Sequence, residues 1–149
     1  NKKKFDGTIF FDSDSQHKVE DLLKMITYAK NNCDSMIIGQ RNFTIKNTPL
    51  LNFLGNKFSA FLISLKINTS IIDSQTGLRF LPKKAYEINL SIEANRFEFE
   101  TISLIKYQYK FNDLRSIYIS IVYSPENKSN FRKIIDSSKI LNSILFTKN

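Results

Sequence analysis

Tryptophan is absent from the 149 residues, and cysteine and histidine occur once each, as Cys33 and His17. One cysteine closes no internal disulfide, and one histidine with one cysteine gives no ligand set for structural zinc. A reducing, cytoplasmic setting is therefore expected. Four glycines and three prolines are too few for a loop-rich all-β design. No run of 18 apolar residues occurs, so no segment is expected to span a bilayer as a helix. No secretory signal is visible. The chain opens on Asn1 and not on Met, and reaches a strand within a few residues, so it reads as a piece of something longer.

What is present is core material. Hydrophobic residues make up 42%, with 13 Phe and 6 Tyr, enough for one domain over 1–149. Lysine and arginine number 22 against 14 acids, a net charge of +8. Such a field favours anionic partners. The basic residues are scattered, though, and the aromatics fall in periodic, core-like positions, not between basic ones. A nucleic-acid groove is not expected from that pattern. A lysine-rich solvated surface explains the charge as well.

Apolar patterning alternates between strand and helix. Thr8–Phe11 reads as a buried strand, and Val19–Lys30 as a helix with a stripe at Val19, Leu22, Leu23, Ile26 and Ala29. Asp14 or Ser15 is a candidate cap for it. Ser35–Gly39 reads as a second strand, with Arg41 just beyond. Pro49 opens a helix to about Ile67, whose apolar face comprises Leu50, Leu51, Leu54, Phe58, Phe61, Leu62 and Leu65. That face suits burial, the commoner case, or contact with a membrane. A turn at Ser74–Gly77 leads into a strand-like stretch to Pro82, and Gly77 is expected to supply a positive φ. A short helix over Lys83–Ile92, a segment from Phe97, a strand over Arg115–Tyr123 and a helix over Ser129–Phe146 complete the pattern. Alternation of this kind means an α/β layered sheet.

Polar clusters follow the strand-like segments. Asp12 and Asp14, at i and i+2 with Gln16 and His17 after them, offer hard oxygen donors for a divalent cation at a strand's carboxyl end. Taken alone, these residues are better explained as an acidic turn capping a helix. Arg41, Asp73 with Arg79, and Glu98 with Glu100 form the other clusters. Two arginines beside acids suit a metal-bound diphosphate, because guanidinium binds phosphate bidentately. His17 and Asp73 are candidate bases, and Glu100 a candidate catalytic acid or base.

The ordered set Asp12-Ser13-Asp14-Ser15-Gln16-His17, Ile38-Gly39-Gln40-Arg41, Gly55-Asn56, Asp73-Ser74-Gln75-Thr76-Gly77-Leu78-Arg79 and Arg96-Phe97-Glu98-Phe99-Glu100 resembles family 2 glycosyltransferases. The branch is the dolichol-phosphate (polyprenyl-phosphate) mannosyl- and glucosyltransferases, whose tail pattern is similar to Tyr123, Asn127, Ser129, Phe131, Arg132 and Asp136. The resemblance implies a GT-A fold: a Rossmann-like mixed sheet flanked by helices, here its C-terminal portion and incomplete at the N-terminal side. It implies Mg²⁺ or Mn²⁺ held by Asp12, Asp14 and Gln16, and a nucleotide-diphosphate sugar as donor. Arg41, Arg79 and Gln75 would meet donor diphosphate or acceptor phosphate, and Asp73 and Glu100 would be catalytic. The implied acceptor is a polyprenyl phosphate, the implied outcome inversion, and the implied location the membrane face. Two features depart from the family. Asn52 stands where an arginine is common, and the family's opening Pro-x-Tyr-Asn-Glu part has no counterpart. The sheet edge left open invites a second copy. Two other readings remain: a sugar-hydroxyl acceptor, as in polysaccharide synthesis, and a non-catalytic remnant that binds anionic surfaces.

Overall fold

The computed structural model describes residues 5–12, 17–41, 50–94, 97–120 and 133–147, the side chains of 50–52, 97 and 133–136 excepted. The elements run β1 (Gly7–Phe10), α1 (Val19–Lys30), β2 (Met36–Arg41), α2 (Leu50–Ile67), β3 (Arg79–Pro82), a 3₁₀ turn (Lys83–Ala85), α3 (Tyr86–Leu90), α4 (Phe97–Phe111), β4 (Leu114–Ile119) and α5 (Lys133–Phe146). The sheet order is β1-β3-β2-β4. β3 is antiparallel to both its neighbours, and β2 and β4 are parallel. This is the mixed α/β sheet that the sequence pattern leads one to expect, consistent with a Rossmann-like layer.

The sheet is covered on both faces. Adjacent residues of β2 point to opposite sides, as strand geometry requires. Ile37 packs with Met25 and Ala29 of α1, and with Phe80 and Ile117. Ile38 packs with Ala60 and Ile63 of α2, Leu104 and Ile105 of α4, and Ile140 and Ile144 of α5. β2 is therefore apolar throughout its first half, which is why it reads as a run and not as an alternation.

Three expectations are corrected. α1 has no side-chain cap: its N-cap residue is Lys18, not Asp14 or Ser15. Val19 and Leu23, placed in its buried stripe, are exposed, and Met25 and Asp21 are buried instead. In α2 the core-facing side is Asn56, Ala60, Ile63 and Ile67, while Leu54, Phe58, Phe61 and Leu65 face outward. Of the expected face, Leu62 does pack against the core and the side chains of Leu50 and Leu51 lie outside the described residues; both faces of α2 are apolar, so periodicity alone does not single out the buried one. The positive φ values belong to Asn68 and Asn112, which follow α2 and α4 as left-handed helix stops.

β1 is held only by β3 among the described strands, in a register that sets Gly7 opposite Pro82 and Phe10 opposite Arg79. At Gly7 a Cβ would collide with the Leu81 carbonyl and the Phe80 ring. Thr8 and Tyr86 share a hydroxyl–hydroxyl hydrogen bond of 2.6 Å.

Candidate active site

The strand directions gather the carboxyl ends of β1, β2 and β4 with the amino end of β3 at one edge of the sheet. Open α/β sheets bind their ligands at that edge. Asp12 lies two residues past β1, Arg41 ends β2, and the strap Asp73–Leu78 leads into β3 at Arg79. Glu100 comes from the first turn of α4.

Asp73 organises the centre. It is fully buried, and both carboxylate oxygens are occupied. Oδ2 accepts from Arg41 Nε at 2.6 Å and from the Arg41 backbone N–H. Oδ1 accepts from Arg41 Nη2, from Asn56 Nδ2 at 2.8 Å and from the Gln75 backbone N–H. Arg41 Nη2 also donates to the Gln75 carbonyl at 3.0 Å. Gln75 therefore enters the network through its backbone. A carboxylate this fully engaged orients an arginine and a loop.

Arg79 is buried, and its guanidinium is largely committed to the protein. Nε donates to the Thr76 carbonyl, Nη2 to the Ser74 carbonyl and to Glu100 Oε2 at 3.2 Å, and Nη1 to the Glu100 carbonyl. It ties the strap to the start of α4. Burial pushes the Glu100 carboxyl above its ordinary value; Arg79 and Arg41 pull it down, and Asp12 and Asp73 push it up. These four neighbours are the other charged members of the expected site among the described residues, and all lie within electrostatic reach of Glu100. Glu98, grouped with Glu100 in the sequence, turns away and pairs with Lys139 of α5 at 3.4 Å.

Asp12 differs from Asp73. Its side chain is 57% exposed. The carboxylate rests directly on Gly77, where any Cβ would overlap it. Gly77 has no positive φ, contrary to expectation; what its missing side chain does is make room for Asp12. His17 is buried beside this carboxylate, with Nε2 4.0 Å from Oδ2, and its ring is tilted against Phe11 at 5.6 Å. Asp14 and Gln16 lie outside the described residues, as do Arg96, Tyr123, Asn127, Ser129, Phe131, Arg132 and the side chains of Asn52 and Asp136. Among the described residues no three acids, histidines or cysteines form a metal cluster. Asp12 fits a cation as one exposed hard oxygen donor.

Asn56 and Gln40 stand within the sequence motifs without a role that residue type or spacing assigns. Asn56 reaches Asp73 from α2. Gln40 Oε1 accepts from the Ile72 backbone N–H at 2.9 Å and fixes the strap where it approaches Asp73. Their signal is a buried amide at the end of an apolar strand and on the core side of a helix.

Comparison with known proteins finds two relatives. A UDP-N-acetylglucosamine–dolichyl-phosphate N-acetylglucosaminyltransferase of Methanococcus voltae is 26% identical over 147 residues, taking in 96% of this chain and 59% of that protein. An uncharacterized protein of Methanocaldococcus jannaschii is 28% identical over 144 residues, covering 94% of this chain and 59% of its own length. The relationship is glycosyltransferase-like. The chain spans about three fifths of the length of these relatives. No family model and no solved structure matches. Among the described residues no helix is long and apolar enough to cross a membrane.

Proposed function

We propose that this chain is the metal- and diphosphate-binding portion of a GT-A glycosyltransferase of family 2. The complete protein would transfer a hexose from a nucleotide-diphosphate sugar to a polyprenyl phosphate, with inversion at the anomeric carbon. The observation that carries the reading is similarity along almost the whole chain to a dolichyl-phosphate glycosyltransferase. Convergence of Asp12, Arg41, Asp73, Arg79 and Glu100 at the carboxyl edge of the sheet supports it.

In this reading Asp12, with Asp14 and Gln16, holds Mg²⁺ or Mn²⁺. When bound, the ion neutralises charge on the departing diphosphate. An acceptor phosphate oxygen attacks the anomeric carbon, and the bond from that carbon to the diphosphate oxygen breaks. The nucleoside diphosphate leaves with the electron pair. A phosphate is already ionised, so the attack needs no strong base, and positioning with charge stabilisation carries the rate. Asp73 orients Arg41 toward the phosphates, and Arg79 fixes the strap beneath Asp12. Glu100, partly exposed and with a raised carboxyl, lines the sugar side.

One observation favours a second reading. Both oxygens of Asp73 are occupied by donors, which leaves Glu100 the better placed acid to accept a proton. A hydroxyl acceptor requires such a base. The test is transfer of labelled sugar from UDP- and GDP-sugars, with Mg²⁺ or Mn²⁺, by the chain extended to the length of its relatives. Polyprenyl phosphate and sugar-alcohol acceptors would be compared. Transfer to the lipid phosphate, lost in Asp12→Asn and Asp14→Asn, is the expected result. Transfer only to hydroxyls, or transfer indifferent to both substitutions, would overturn the first reading.

A further inference from the structure

At the outer edge of β4, helix α1 supplies side chains where a further strand would supply backbone. The Gly39 N–H donates to the Leu78 carbonyl, so Gly39 and Arg41 direct their backbone groups toward β3 and Gln40 directs its own toward β4. Gln40 lies opposite Tyr118. In a parallel ladder such a residue bonds the two that flank its opposite, here Ile117 and Ile119. The Tyr118 carbonyl and the Ser120 N–H therefore point off the outer edge. Lys24 Nζ donates to that carbonyl at 2.6 Å, and Asp21 Oδ2 accepts from that N–H at 3.0 Å. The ammonium stands in for a strand's N–H and the carboxylate for its C=O. Lys24 is exposed, whereas Asp21 is only 7% exposed. An exposed lysine already blunts a strand edge, and taking a carboxylate out of water is unfavourable. Edge protection alone therefore does not account for Asp21.

We propose that Asp21 is a positioning residue for the acceptor side of the candidate site: it fixes the chain at the residue where it leaves the sheet. Three relationships carry this. First, Ile119 is in register with Arg41, so Ser120 stands at the rim one step beyond the arginine that Asp73 orients. Second, β1 and β4 are at opposite ends of the sheet order. Asp12 follows β1, three strand spacings or about 14 Å from β4. A donor diphosphate held at Asp12 leaves the end of the rim between Arg41 and β4 for a second phosphate. Third, the sequence that continues from Ser120 is basic, with Lys128, Arg132 and Lys133 against Glu126 alone over 121–133. The proposal deepens the reading of a lipid-phosphate acceptor and rests on it. Asp21 sits in the first turn of α1, the helix that follows the acidic turn, so one helix serves both ends of the rim.

The experiment compares Asp21→Ala and Asp21→Asn with the parent, each in the chain extended to the length of its relatives. Amide hydrogen exchange followed by NMR reads the Ser120 N–H. Steady-state transfer to a short-chain, water-soluble polyprenyl phosphate reads KM for acceptor and donor separately. Exchange at Ser120 should speed up about tenfold in Asp21→Ala, the worth of a hydrogen bond to a charged acceptor. It should return most of the way in Asp21→Asn, whose side-chain oxygen still accepts. KM for the acceptor should rise about tenfold in the alanine variant and recover in the asparagine variant, with KM for the donor and Mn²⁺ affinity unchanged. A lower thermal midpoint with both KM values unchanged means a structural role only, and overturns the proposal. So does unaltered Ser120 exchange in Asp21→Ala, and so does a donor KM that rises in step with the acceptor's. If no protein, the parent included, transfers sugar to the lipid phosphate while Ser120 exchange still depends on Asp21, the acceptor reading has failed. The positioning role falls with it, and Asp21 is an edge cap alone.

Discussion

The Asn56 amide donates to Asp73 Oδ1 at 2.8 Å and so joins the middle of α2 to the strap before β3. Asn56→Ala removes a donor from a fully buried carboxylate, and a loss of about 1–3 kcal/mol in folding stability is expected. Urea denaturation measures it. An unchanged midpoint would mean that Asp73 does not need this donor.

Arg41→Ala should be more damaging, since it takes both guanidinium contacts from Asp73 and leaves a buried acid underpaired. The expected loss is about 3 kcal/mol. Arg41→Lys should recover only part of it, because an ammonium cannot present the two-pronged geometry. Equal stability of the lysine variant and the parent would contradict this account of the centre.

Gly77→Ala tests the seat of Asp12. The atoms in the way are the far end of an exposed, rotatable side chain, so Asp12 should swing aside. The stability cost should stay near 1 kcal/mol, that of an off-rotamer side chain. Mn²⁺ affinity, read by titration calorimetry, should fall toward that of Asp12→Ala. In the Asp12→Ala background Gly77→Ala should have no further effect on the metal. Additive losses would place the metal elsewhere.

Two carboxyls give opposite pH responses. Glu100 is raised above 4.5, so the folded chain binds its proton more tightly than the unfolded chain. Stability should therefore decline as pH rises from about 4.5 through the raised value, then level off. Glu100→Gln should flatten that decline. Asp113 is lowered below 3.8: burial pushes it up, but the Ser35 hydroxyl, Lys84 and Arg115 outweigh burial. Its contribution is present above 3.8 and is lost as pH falls through the lowered value, and Asp113→Asn should lack that acid limb. Urea midpoints across the acidic range separate the two. A Glu100→Gln profile parallel to the parent's would contradict the desolvation assigned to Glu100.

Much of this architecture was legible in the residues. α1 begins and ends where its pattern does, and β2 lies within about two residues of its apolar run, because burial on a strand leaves a short continuous signal; β4 starts one residue before its expected alternation and ends at Ile119, with 121–123 outside the described residues. The gathering of Asp12, Arg41, Asp73, Arg79 and Glu100 at one sheet edge was legible as well, because each stands in a polar cluster that follows a strand-like segment. Their division of labour was not. Whether an arginine meets solvent or a backbone carbonyl depends on loop path, and Arg79 spends itself on Ser74, Thr76 and Glu100. The outward face of α2 was hidden for a different reason. Hydropathy ranks Leu54 and Phe58 above Ala60 and Asn56, whereas packing against Ile38 and Asp73 favoured the smaller face.

Two of the close-packed glycines lie at either end of the β1–β3 ladder. Gly7 fits under Phe80 and Leu81, and Gly77 fits under Asp12, two residues beyond the last rung. Together they index the ladder like notches on a ruler. A slip of one residue would push a side chain into each notch and invert the faces of β1. The carboxylate at the rim is thus located by a length of chain measured between two missing side chains, and an insertion or deletion anywhere from Thr8 to Phe11 should displace it more than any single substitution there.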